Sequence, residues 1–200
     1  MNLSKEEGSF VPIDQQMLRR FLGGSGLGVY LLLQSQSPEA EPLSVESSLV
    51  FAFSPLVGSP LTTSAKFAVV SKSPLTNRIN DSLASSGFAV AAKKCGCDAI
   101  VITGRATRPS ILIIDDGDVR LEPADELWGL TIDKAEIRLR QRLGTGFHSA
   151  VIGPAGERQV RYATISHDGR HAGRGRLPRR QVPIGRAGER APPTGVAMRL

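Results

Sequence analysis

Apolar residues in this chain fall mostly in runs of four to six, bounded by glycine, proline, serine or aspartate, and such runs suit strands buried on at least one face. Leu49–Phe53, Phe67–Val70, Asp98–Thr103 and Ser110–Asp115 are the clearest. The last continues through Asp116-Gly117 into an alternating segment, Asp118 to Glu122, and an Asp-Gly pair between two such runs predicts a tight hairpin. Ala150–Ile152 and Gln159–Ile165 complete the predicted strands. Helical spacing is rarer. Asp14 can cap a short helix, QQMLRRFL, ended by Gly23 and Gly24, and a second helix starts near Gly26 with Leu27, Tyr30, Leu31 and Leu33 on overlapping faces. Asp81 to Lys94 reads as a third, capped by Asp81 or Ser82 and closed by Lys93 and Lys94, which complement the negative end of its dipole. The fourth follows Thr131, repeats Ile132, Ala135, Leu139 and Leu143 at helical spacing, and stops at Gly144. Hairpins and irregular loops outnumber strand-helix-strand units, which predicts an α+β fold and not a doubly wound sheet.

Composition changes this picture little: 200 residues, 40% hydrophobic and 22% charged, are ordinary for a globular domain. The longest apolar stretches fall far short of the ~20 residues needed to span a bilayer, and the acidic start MNLSKEEGSF is unlike a secretory leader; both point to a cytoplasmic protein with no membrane partner. The net charge of +6 is a property of one end. From Arg170 onward there are eight arginines and one glutamate, so the preceding body is close to neutral. A nucleic-acid or anionic-surface binder working through that tail is therefore the alternative reading, and it predicts salt-dependent binding that disappears with residues 176–200.

Few residues carry chemistry of their own. Cys95 and Cys97 are too few to ligate an iron-sulfur cluster and read as reduced, packed thiols. His148, His167 and His171 lack other metal-ligating residues at useful spacing and read as structural or solvent-facing. Trp128 reads as a core anchor and Lys72 as a solvated edge charge. GGSGLG follows a helix, not a strand, so it is no dinucleotide fingerprint. With no nucleophile beside a base and no phosphate-binding lysine loop, any redox chemistry must come from a bound cofactor.

An ordered series of motifs names that cofactor. FLGGSGLGVYLL, PLVGSP, SAKFAVVSKSPLT, INDSLASSGF, CGCDAIVITGRA, ELWG and IGPAGE resemble, in order and at about the right spacing, the first domain of the aldehyde ferredoxin oxidoreductase family, from the first residues to about Gly175. The resemblance implies two packed β-sheets with flanking helices, forming the base on which a tungsten or molybdenum bis-pterin cofactor rests. It also implies a 4Fe-4S cluster held by later domains, ferredoxin as electron acceptor, and dimers formed through the first domain. Such a cofactor presents phosphates and flat polar rings, which cationic side chains and exposed backbone amides on rigid turns recognise. The family's arginine before the KSPLT strand falls on Lys66, and its loop asparagine and glycine fall on Leu83 and Ser85. Its R-A-A-G-R-G segment falls on Arg170, His171, Gly173 and Arg174. The DSLASS loop is similar to the branch near the benzoyl-coenzyme A reductase active-site subunits, so the substrate need not be a simple aldehyde.

Beyond Gly175 the pattern changes to RLPRRQVPIGRAGERAPPTGVAMRL, in place of a glycine-rich helix start and a lysine-asparagine-leucine strand. Residues 1–175 are thus expected to form the domain. Residues 176–200 are expected to be a disordered or off-frame tail, and the chain alone is expected to be inactive.

Overall fold

The computed structural model describes residues 1–171 and 195–199. Asp14 caps α1 (Gln15–Phe21), its carboxylate accepting from the amides of Gln16 and Met17 at 2.8 and 3.2 Å. The break predicted at Gly23-Gly24 comes one residue earlier, because Leu22 itself adopts φ 58°, and α2 (Gly24–Ser35) starts at once. Next come β1 (Leu49–Phe53) and β2 (Lys66–Lys72).

The predicted helix over 81–94 is corrected by the structure. Its first half is a strand, β3 (Ile79–Ser85), and only α3 (Gly87–Lys94) is helical, capped by Ser86 instead of Asp81 or Ser82. Polar residues in INDSLAS hide the strand, but β2 has a free edge that the turn at 73–78 folds this segment onto. Seven consecutive pairs result, from Lys66 opposite Ser85 to Lys72 opposite Ile79. Pairing overrides local preference here.

The remaining elements are β4 (Ala99–Ile102), β5 (Ser110–Asp115), β6 (Asp118–Pro123), α4 (Ile132–Leu143), β7 (His148–Val151), α5 (Pro154–Glu157), β8 (Ser166–His167), β9 (Arg170–His171) and β10 (Gly195–Arg199). Gln159–Ile165 is not a strand: turns after α5 occupy it, and the chain becomes extended only at Ser166. Gly195–Arg199, within the segment expected not to fold, is a strand whose backbone pairs antiparallel with β5 and parallel with β7. An extended backbone there completes the ladder between two buried strands that do not pair with each other.

Two sheets result, as the α+β expectation required. One has the order β3-β2-β1-β4 and the other β6-β5-β10-β7-β8-β9. Alternation assigns the faces of the first sheet. Phe51, Phe53, Phe67 and Val69 point inward with Phe88 of α3, and Phe88 stands 4.9 Å from Phe67 and 5.4 Å from Phe51 between ring centres. His167 of the second sheet meets Phe67 edge-on at 5.2 Å, so the two sheets share this aromatic interior. The opposite face, Val50, Ala52, Ala68 and Val70, lies under α2. There the helix comes close because Gly28 has no side chain: a Cβ would stand 2.5 Å from Val70 Cγ2.

Two motifs prove to be structural fastenings. Glu157 of IGPAGE is buried, and both of its carboxylate oxygens accept from the Gly129 amide of ELWG at 3.0 Å. Trp128, expected in the core, is 43% exposed, and Leu127 fills the interior in its place. Lys72, expected at a solvated edge, is buried, and its ammonium donates to the Pro38 and Ala40 carbonyls at 2.6 and 3.0 Å, securing the polar loop between α2 and β1. The hydrocarbon stem lies in the interior while the charge meets backbone oxygen.

Candidate functional site

The predicted site residues come from three places in the sequence, and the structure brings two of these together. Lys66 opens β2 and Ser85 closes β3, and they are direct partners across the antiparallel pair, so their side chains share a face. Leu83 lies two residues before Ser85 on that same face. This is the face that α2 covers farther along, at Ala68 and Val70, but at the Lys66 end it is open. Lys66 is exposed, Leu83 is 67% exposed and Ser85 is half-buried. The start of α2 borders it, because Ser25 Oγ donates to Asp81 Oδ2 at 2.6 Å and Asp81 also belongs to this face. Gly23, at the cap of α2, has no side chain to satisfy the first amides of that helix.

Arg170 and His171 lie in β9, opposite His167 and Ser166 of β8. Gly173 and Arg174 lie outside the described residues. What links β9 to the first group is Asp168, which opens the glycine- and arginine-rich stretch of the sequence but to which the motifs assign no role of its own. Its backbone is left-handed, with φ 49°, in the turn between β8 and β9. Its Oδ2 accepts from the Phe88 amide at the start of α3 at 2.9 Å, and its Oδ1 accepts from the Ser149 amide of β7 at 3.0 Å. His148 Nδ1 lies 3.1 Å from the same Oδ2. Burial pushes the Asp168 carboxyl up, but the contacts from His148, Ser149 and Ser86 outweigh it and hold the group below the usual carboxylate range. Only two residues separate Ser85 from Phe88, so the rim bearing Lys66 and Ser85 and the turn leading to Arg170 are tied at the start of α3. His148, expected to be structural or solvent-facing, is structural: it is one of the fastenings. The one local sign of this role is the Asp168-Gly169 pair, a turn signal whose side-chain partners all lie elsewhere in the chain.

Among the described residues, no three His, Cys, Asp or Glu side chains group as metal ligands. The open face therefore offers a cation, a hydroxyl and backbone amides. Cys95 and Cys97 are buried free thiols, as expected, and burial first of all pushes them up to about 11 and about 12, far from thiolate chemistry at neutral pH.

Comparison with known proteins places this geometry. Residues 1–177 match the family described as aldehyde ferredoxin oxidoreductase, N-terminal domain. The chain belongs to that family. The tungsten-containing aldehyde ferredoxin oxidoreductase of Pyrococcus furiosus is 37% identical over 177 residues, which are 88% of this chain and 29% of the relative. That of Pyrococcus abyssi is 39% identical over 166 residues, 81% of this chain and 27% of the relative. Among solved structures, the active-site complex of benzoyl-coenzyme A reductase with 1,5-dienoyl-CoA superposes with a TM-score of 0.82 at 32% identity, over 88% of this chain and 27% of that one. The family's first-domain fold is thus present, in a chain that spans less than a third of the length of the relatives it matches.

Within the family frame, the donor set fits a phosphate-bearing cofactor at Lys66 and Ser85, where a cation and a hydroxyl stand side by side on an open face. Lysine supplies the charge without the two-pronged geometry of the family's arginine. Leu83 does not fit. Its side chain has no polar atom, so the exposed hydrocarbon brings neither donor nor charge to the face.

Proposed function

We propose that this chain is the cofactor-facing domain of a tungsten- or molybdenum-pterin oxidoreductase that acts on the aldehyde or oxo group of its substrate, with an iron-sulfur protein such as ferredoxin as acceptor. The observation that carries the reading is the pairing of Lys66 with Ser85 at the open end of the face that α2 covers at Ala68 and Val70. Lys66 would hold phosphate charge, Ser85 would donate its hydroxyl hydrogen, and Arg170 and His171 would approach from the second sheet, with Gly173 and Arg174 next to them in sequence. When bound, the cofactor supplies the redox chemistry. The residues of this chain place and neutralise it, and the 4Fe-4S cluster is expected in domains that this chain does not include. The 200 residues alone are therefore inactive in this reading, with dimer formation through this domain and a cytoplasmic location as its further expectations.

The test is a domain exchange. Residues 1–175 replace the matching segment of the Pyrococcus furiosus tungsten enzyme, the chimera is expressed with tungstate and with molybdate, and its metal, iron and pterin are measured. Retention of metal together with pterin is the expected result. A folded chimera that carries iron but neither metal nor pterin under both conditions would refute it.

A further inference from the structure

Asp168 has more partners than a turn residue needs. A turn between two-residue strands requires at most its own backbone bonds, and Asp168 makes one of these, its amide donating to the Ser149 carbonyl at 3.0 Å. Its carboxylate nonetheless reaches α3 and β7, which belong to different layers. Gly87 is what allows His148 to complete the cluster: a Cβ there would overlap the imidazole, so the ring lies directly against the first turn of α3. The next residue, Gly169, donates its amide to Glu136 Oε1 of α4 at 3.0 Å, which fixes the far side of the turn. The Phe88 amide is shared between Ser86 Oγ at 3.2 Å and Asp168 Oδ2 at 2.9 Å, and the carboxylate, charged and closer, is the stronger acceptor.

We infer that Asp168, oriented by His148, is a positioning residue: its carboxylate clamps the start of α3 to the β8–β9 turn and so sets where Arg170 and His171 stand relative to Lys66 and Ser85. What is being positioned rests on the proposed function; the clamp itself does not. The charged and titratable neighbours of the carboxylate are His148 from β7, Glu136 from α4 by way of Gly169, and the adjacent His167 of β8; Arg170 follows two residues on in the sequence. The first turn of α3, Gly87 to Val90, and residues 195–198 of β10 bring no charged residue. An amide that donates to a carboxylate reports that carboxylate's charge, so one titration should be visible at two sites distant in sequence.

The 200-residue chain, labelled with nitrogen-15, is followed through its amide proton shifts from neutral to acid pH and through amide exchange. Phe88 and Ser149 are expected to titrate together, with one midpoint below the usual carboxylate range. Asp168→Asn, nearly isosteric, should abolish that shared transition and speed exchange at Arg170 and His171 about tenfold or more, while Val50 and Val69 change less than about twofold. His148→Gln, which keeps a polar side chain that cannot charge, should raise the shared midpoint toward the ordinary range. Separate midpoints at Phe88 and Ser149, equal acceleration across all strands in Asp168→Asn, or an unmoved midpoint in His148→Gln would each overturn the clamp. If Asp168→Asn does not fold, the wild-type titration and His148→Gln still decide. An empty chimera with the shared transition intact refutes the cofactor reading alone, whereas a loaded chimera without that transition refutes the clamp alone.

Discussion

The aromatic interior between the sheets and the cluster of turns around Asp168 share one residue, Phe88, and are held by different forces. The Phe88 ring joins Phe51, Phe53 and Phe67 in a buried cluster, where stability comes from apolar area removed from water and from close packing. Its amide belongs to the other region, where one carboxylate gathers an imidazole and two backbone donors from separate layers. The aromatic interior depends on volume more than on polar contacts. The turn cluster contains little volume and depends on a few atoms. A domain built this way can keep its fold while its open rim is adjusted by single residues.

The comparison breaks most visibly at the interior. Phe88→Ala should cost about 3–5 kcal/mol, read as a lower urea midpoint, because the cavity it leaves is lined by three other rings. A smaller loss is expected at Lys72, where Lys72→Met fills the space but leaves the Pro38 and Ala40 carbonyls without their donor; about 1–3 kcal/mol should be lost in the same urea experiment, with faster exchange confined to residues near Ala40. At Asp168 the effect depends on pH. The folded-state pKa is depressed, so the stabilisation it contributes is complete above the unfolded value and is lost as pH falls through the folded one. Acid titrations of wild type and Asp168→Asn should therefore differ at neutral pH and converge below the carboxylate range. The smallest effect on stability belongs to the rim: exposed Lys66→Ala should change the unfolding free energy measured with urea by less than about 0.5 kcal/mol. A large loss there would mean that Lys66 supports the fold and is not held free for a ligand.

The interior was legible in the sequence because its strands and α4 carry their own periodicity. Leu49–Phe53, Ser110–Asp115 and Ile132–Leu143 stand where the apolar pattern puts them. β3 was not legible, since INDSLAS has the polar and small residues of a helix start and is a strand only because β2 offers an edge. Nor was the pairing of Lys66 with Ser85, which depends on the register of that strand. The motif series marked both positions without showing that they stand opposite each other. Asp168 was missed because an acceptor is recognised by its donors, and these come from α3 and β7. Trp128 and Lys72 were misplaced for a similar reason: residue type predicts burial only on average, and here Leu127 and two loop carbonyls decide it.

The most direct measurement is the tungsten and pterin content of the exchanged-domain enzyme, compared with its Lys66→Ala variant at equal folded concentration. The account predicts a loaded parent and a variant that has lost most of both while melting at the same temperature. Equal loading of the two proteins, or a folded parent that carries neither metal nor pterin, would contradict it.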